Sequence, residues 1–147
     1  MTSETIPAIE LAIPPYPEYL QLVRALVGAA ASSSGARSPL GPGRVADLRL
    51  VVSEAATNAV EAQGAIGARD RIVVRCQGAE DRVLGEVIDH GPGFDLDAVP
   101  DLPDVETPER LRHESGLGVA LMERMADEVN VESGSDGTTV RLVIQST

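Results

Sequence analysis

Aromatic side chains are nearly missing from this chain of 147 residues: there is no tryptophan, and Tyr16, Tyr19 and Phe94 are the whole complement. The core must therefore be aliphatic, and a 43% hydrophobic fraction can supply it. Cysteine is as scarce. The single Cys76 excludes an internal disulfide, and with two histidines there is no thiolate or imidazole cluster to hold zinc. Cys76 lies in the apolar run RIVVRC and reads as a strand residue, in the core or partly exposed. No apolar run approaches the roughly 20 residues that cross a bilayer. The opening MTSETIPAIE lacks the basic and apolar regions of a signal peptide, so a cytoplasmic protein without a membrane partner is expected. Basic residues are also few. Twelve Lys and Arg against 23 Asp and Glu give a formal charge of −11, which repels phosphate backbones and argues against direct binding to nucleic acid. A nucleotide site in such a chain needs a bound cation and local backbone donors.

The length suits one domain, 1–147, burying roughly 70% of the surface of its unfolded chain. Residues 1–8 read as flexible. Ile9, Leu11 and Ile13 then alternate as a short strand does, and PPYP ends it. Pro17 suits a first helical turn, and Tyr19, Leu22, Val23, Leu26 and Ala30 follow at helical spacing. The breaker-rich stretch SSSGARSPLGPG, 32–43, reads as a flexible loop. A second helix is predicted over 44–62, with Val45, Leu48, Val52, Ala55 and Ala59 in one apolar stripe and Gly64 and Gly67 as its stop. Strands at 71–77 and 82–89 form a hairpin around Gly-Ala-Glu-Asp. Residues 94–115, with seven acids, two arginines and three prolines, read as a long acidic loop. A third helix over about 118–127 and a second hairpin, 129–132 with 138–144, close the chain. This order predicts a two-layer α/β sandwich, a mixed and mostly antiparallel sheet with helices on one face.

Glu54 and Asn58 are four apart and share a helix face with Asp47 and Glu61, opposite the apolar stripe. Alone, such a pair is most often a solvated face. The strand over 83–88 runs into Asp89-His90-Gly91-Pro92-Gly93, where glycines allow close backbone approach. Asp89 there either accepts a hydrogen bond from a ligand amino group, such as the exocyclic amine of adenine, or caps an ordinary Asp-Gly turn. Ser115-Gly116-Leu117-Gly118 stands before an apolar helix, where free amides and the helix dipole attract phosphate, or serves as a cap. Gly137-Thr138-Thr139 opens the last strand; a threonine hydroxyl reaches a base there, or the threonines simply favour a strand. Neither G-x-x-x-x-G-K-[ST] nor G-x-G-x-x-G occurs.

In this order the series E-x-x-x-N, D-x-G-x-G, S-G-x-G and G-T-T resembles the N, G1 and G2 boxes and terminal motif of the GHKL ATPases. The forms E-A-A-T-N-A and S-G-L-G-V-A-L-M resemble the bacterial anti-sigma factor serine/threonine kinases. The resemblance covers about residues 47–144 and implies a Bergerat-type fold with ATP and Mg2+ as cofactors. It implies that Asn58 is the magnesium ligand and Glu54 the general base on the attacking hydroxyl. It puts Asp89 on the adenine amine with Thr138 or Thr139 nearby, and has Gly91 and Gly93 shape the base pocket. Ser115, Gly116, Leu117 and Gly118 would close on the phosphates, with Arg112 at hand and 94–115 as an ATP lid. The implied function is an anti-sigma factor that sequesters an alternative sigma factor and phosphorylates a serine or threonine of an anti-anti-sigma antagonist. It also implies a homodimer that pairs through the N-terminal strand and helix. The alternative is a non-catalytic, ATP-dependent binding module, favoured by Glu114 ahead of Ser-Gly and by the lack of a histidine after Asn58. A sensor histidine kinase domain fits poorly, since the two histidines, His90 and His113, both follow the N box.

Overall fold

The computed structural model describes residues 8–33, 40–78, 81–93 and 114–145. Strand β1, Ile9–Ile13, ends where PPYP begins, and a single turn of 3-10 helix at Pro17–Tyr19 feeds helix α1, Leu20–Ser33. The face of α1 that packs is narrow. Val23, Val27, Ala30 and Ala31 are buried on it, whereas Leu22, at helical spacing with them in the sequence, is 51% exposed beside that face.

Helix α2, Pro42–Ile66, is longer at both ends than its periodicity suggests. Pro42 is tolerated in the first turn, whose N–H groups have no helical partner anyway. The helix passes through Gly64 and ends at Gly67, φ 64°, the left-handed residue that closes it. Strands β2, Ile72–Gly78, and β3, Arg82–Asp89, come next. Helix α3, Glu114–Met125, and strands β4, Glu128–Gly134, and β5, Gly137–Gln145, complete the chain.

The sheet order is β1-β2-β3-β5-β4, and each of these pairings is antiparallel. Strand period two sorts the side chains to the two faces. Ile72, Val74 and Cys76 of β2, Val83 and Val87 of β3, and Val140, Leu142 and Ile144 of β5 are buried. Against them pack Leu48, Val52, Ala55, Ala56 and Ala59 of α2, with Val23 and Val27 of α1 and Met122 of α3. All three helices thus cover one face. The other carries a charged row across the strands: Arg75 bridges Glu10 at 3.1 Å and Glu86 at 3.4 Å, and Arg141 bridges Glu86 at 2.7 Å and Glu132 at 3.2 Å.

Arg44, in the first turn of α2, donates to the carbonyls of Gln145 at 3.1 Å and Met125 at 3.5 Å and pairs with Asp47 and Asp127. It ties the start of α2 to the ends of α3 and β5. It also commits Asp47, which shares a helix face with Glu54, to structure. No helix among the described residues is long and apolar enough to cross a membrane.

Cys76 is 1% exposed, and burial pushes its thiol up to about 11. Only the thiolate reacts readily, so iodoacetamide should label the native protein far more slowly than the protein in urea. Intact mass against time checks this. Labelling at comparable rates in both states would mean that β2 opens locally without global unfolding.

Candidate functional site

Asp89 ends β3 and is only 7% exposed. Its Oδ1 accepts from the Gly91 N–H at 2.8 Å and the Thr138 N–H at 3.2 Å, while Oδ2 has no protein donor among the described residues. One oxygen builds the turn and the other takes no part in it. Burial raises the carboxyl above its usual pKa, and the two amides and nearby His90 pull it partly back.

Thr138 stands opposite Asp89 in the ladder, buried, with Oγ1 2.8 Å from Ser133 Oγ. Thr139, next along, lies opposite Ile88 on the other face of the sheet, because successive strand residues alternate. Of the two threonines, Thr138 alone is beside Asp89.

The turn after Asp89 is seated on both sides. Gly93 has φ 75°, and a Cβ there would collide with the Gly134 carbonyl at the tip of the β4–β5 hairpin. Gly91 lies against α2, where an added Cβ would stand 2.7 Å from Ala62 Cβ. Only bare backbone fits between hairpin and helix.

Ala62 is the third member of a row, Glu54, Asn58 and Ala62, at four-residue spacing on one face of α2. With 1.5 Å of rise per residue, Asn58 lies about 6 Å and Glu54 about 12 Å along the axis from Ala62. Both are half-buried. A ligand held by Asp89 at one end of this row would extend past an amide oxygen towards a carboxylate.

Gln63, adjacent to Ala62, is fully buried. Its Oε1 accepts from the His90 N–H at 2.9 Å, and its Nε2 donates to the carbonyls of Asp70 at 2.7 Å and Ala68 at 3.4 Å. Motif reading passes over this residue. The signal is its phase: Val45, Leu48, Val52, Ala55 and Ala59 are followed, four residues on, by a glutamine on the same apolar stripe.

Ser115, Gly116, Leu117 and Gly118, expected as a loop ahead of the helix, have helical backbone already, since α3 begins at Glu114. The first N–H groups of a helix have no partner within it, so Ser115 and Gly116 keep their donors, while Gly118, four residues after Glu114, is placed to spend its own on the helix. Helix α3 packs on α2, with its C-terminal end bonded to Arg44. Arg112 and the rest of the expected lid up to 113 lie outside the described residues, as do 1–7, 34–39 and the hairpin residues 79–80.

Residues 13–144 match the histidine kinase-like ATPase domain family. A serine-protein kinase RsbW from Bacillus velezensis is 36% identical over 143 residues, covering 95% of this chain and 86% of that protein. RsbW from Bacillus subtilis is 34% identical over 137 residues, covering 91% and 82%. Among solved structures, the RsbU and RsbW domains of Rv1364c from Mycobacterium tuberculosis align with a TM-score of 0.67 at 24% identity over 95% of this chain, which spans 32% of that longer chain. The SiaB–SiaC complex from Pseudomonas aeruginosa aligns at 0.61 and 16% identity, over 97% of this chain and 92% of that one. At such identities the structural likeness speaks for the fold.

Proposed function

Because the chain belongs to the histidine kinase-like ATPase domain family, and within it to the RsbW serine-protein kinases, we propose that it is an ATP-dependent anti-sigma factor kinase of the cytoplasm. In this reading it sequesters an alternative sigma factor and phosphorylates a serine or threonine of an anti-anti-sigma antagonist. The observation that carries it is the order of groups along α2. Asp89 and the bare Gly91 backbone stand at one end, Asn58 follows, and Glu54 lies farthest away. This is the order of base, phosphates and attacking hydroxyl in a phosphoryl transfer from ATP.

Each group suits its task. Asp89 Oδ2 accepts from the adenine amine while Oδ1 stays with the scaffold. The Asn58 side-chain oxygen suits a hard cation, and Mg2+ held there would screen the triphosphate in a chain with a formal charge of −11. Glu54 takes the proton of the attacking hydroxyl. The amides in the first turn of α3, from Glu114, receive phosphate oxygens.

A second reading, a binding module that senses ATP without transferring phosphate, is favoured by two features. No histidine follows Asn58 in the run Ala59-Val60-Glu61-Ala62-Gln63, and Glu114 puts an acid at the start of α3. Immobilised protein incubated with γ-labelled ATP and Mg2+ in lysate of the source cell separates the readings. A captured protein that gains phosphoserine or phosphothreonine supports the kinase. ATP-dependent capture without label supports the module, and the absence of both label and ATP-dependent capture would overturn both readings.

The proposal includes a homodimer. Strand β1 is at a sheet edge, and Ile9, Tyr16 and Leu22 are 43%, 46% and 51% exposed in the N-terminal strand and helix region. Light scattering at dilute concentration should give twice the chain mass; a monomer mass would remove the dimer.

A further inference from the structure

Gln63 is a fully buried polar side chain, and all its bonds go to backbone. It receives the N–H of His90, the residue that follows Asp89, and holds the carbonyls of Asp70 and Ala68 on the approach to β2. One amide thus brackets the end of α2, the entry to β2 and the exit from β3. Only a neutral amide serves here. A carboxylate cannot donate to the carbonyls, and an aliphatic side chain would leave the His90 N–H and the Asp70 carbonyl without this partner.

We propose that Gln63 is the positioning residue of the base pocket: its side chain fixes the Asp89–Gly93 turn relative to α2, and so fixes where Asp89 Oδ2 meets a nucleotide base. The inference rests on reading that turn as the base site. The contacts of Asp89 with Gly91 and Thr138 shape the turn internally and against β5. Gly91 packs on Ala62, and the Gln63 side chain adds a directional hydrogen bond from the turn to the helix that carries Asn58 and Glu54. Its loss loosens the base end relative to the phosphate end without touching the latter.

Calorimetric titration with Mg-ADP and with Mg-pyrophosphate, which has the two phosphates but no base, tests this. The proteins compared are wild type, Gln63→Met and a remote core control, Val23→Ala. Gln63→Met should bind ADP about tenfold more weakly, while pyrophosphate affinity stays within about twofold. Amide exchange at His90 should accelerate in the same variant. The control should melt earlier yet keep both affinities. Should Gln63→Met fail to fold, the wild type carries the test: Mg-ADP should slow amide exchange at His90 while Mg-pyrophosphate leaves it unchanged, and equal effects of the two ligands overturn the inference. In Gln63→Met, ADP affinity within twofold of wild type, or parallel loss of both ligands, overturns the inference. A wild type that binds ADP no better than pyrophosphate overturns the base-site reading and this inference with it, an outcome distinct from an indifferent Gln63 variant.

Discussion

Asp89→Asn is expected to bind adenine nucleotide about a hundredfold more weakly and yet, without nucleotide, to melt at a higher temperature than the wild type at neutral pH. Both halves follow from the division of labour between the carboxylate oxygens. Oδ1 carries the Gly91 and Thr138 amides, and an asparagine Oδ1 can accept both. In place of Oδ2 the variant presents an NH2, which faces the adenine amine donor to donor and forfeits a charge-assisted bond. The stability gain comes from burial. It raises the Asp89 pKa in the folded protein above the ordinary 3.8, so the folded state binds the proton more tightly than the unfolded chain. Stability contributed at this site therefore falls as pH rises through the window between the ordinary and raised values, and at neutral pH the buried charge is a cost. Asparagine removes that cost. Melting curves should show the gap between variant and wild type narrowing as pH is lowered towards 4, and ADP titration reads the affinity. Unchanged ADP affinity would remove Asp89 from the base site.

If the proposed kinase reading holds, Glu54→Gln should reduce transfer from ATP to the protein substrate by about a thousandfold, within the range attributed to a positioned general base. ATP affinity should change little. The substitution keeps size and half-buried position on α2 but supplies an amide that cannot take a proton. Glu54 is farthest in its row from Ala62 and the Asp89–Gly93 turn, so binding of a base at that turn should not depend on it. Single-turnover transfer gives the chemical step, and calorimetry with a non-hydrolysable ATP analogue gives affinity. A transfer rate equal to that of the wild type would assign the base elsewhere.

Much of this architecture can be read in the residues, and the places where it cannot share a physical cause. Alternation and hairpin turns locate β1 and β3 at their observed bounds, because a strand with one buried face must repeat every second residue. Glycine is a weaker signal. Gly64 does not stop α2, since a helical glycine costs only about 1 kcal/mol, and the helix closes instead at the left-handed Gly67. The glycines at 116 and 118 are likewise absorbed into α3. Thr138 and Thr139 are equivalent by composition, and only the β3–β5 register separates them. Asp47 shares a face with Glu54, but its ion pair with Arg44, three residues back and itself bonded to Asp127, commits it to structure. The place of Thr139 depends on a strand far away in sequence, which local periodicity does not encode.

The charged row on the helix-free face adds little to stability, since pairs as exposed as Arg75–Glu10 are worth about 0–1 kcal/mol. Its value lies in discrimination. A slip of one residue between β2 and β3 would turn the aliphatic face outward. A slip of two keeps that face inward and would escape a hydrophobic penalty, but it sets Arg75 opposite Leu84 or Ile88 and leaves Glu86 opposite Gln77 or Val73. The same slip between β3 and β5 separates Arg141 from Glu86. The ions thus act as a vernier for strand alignment, rejecting pairings that apolar burial alone would accept.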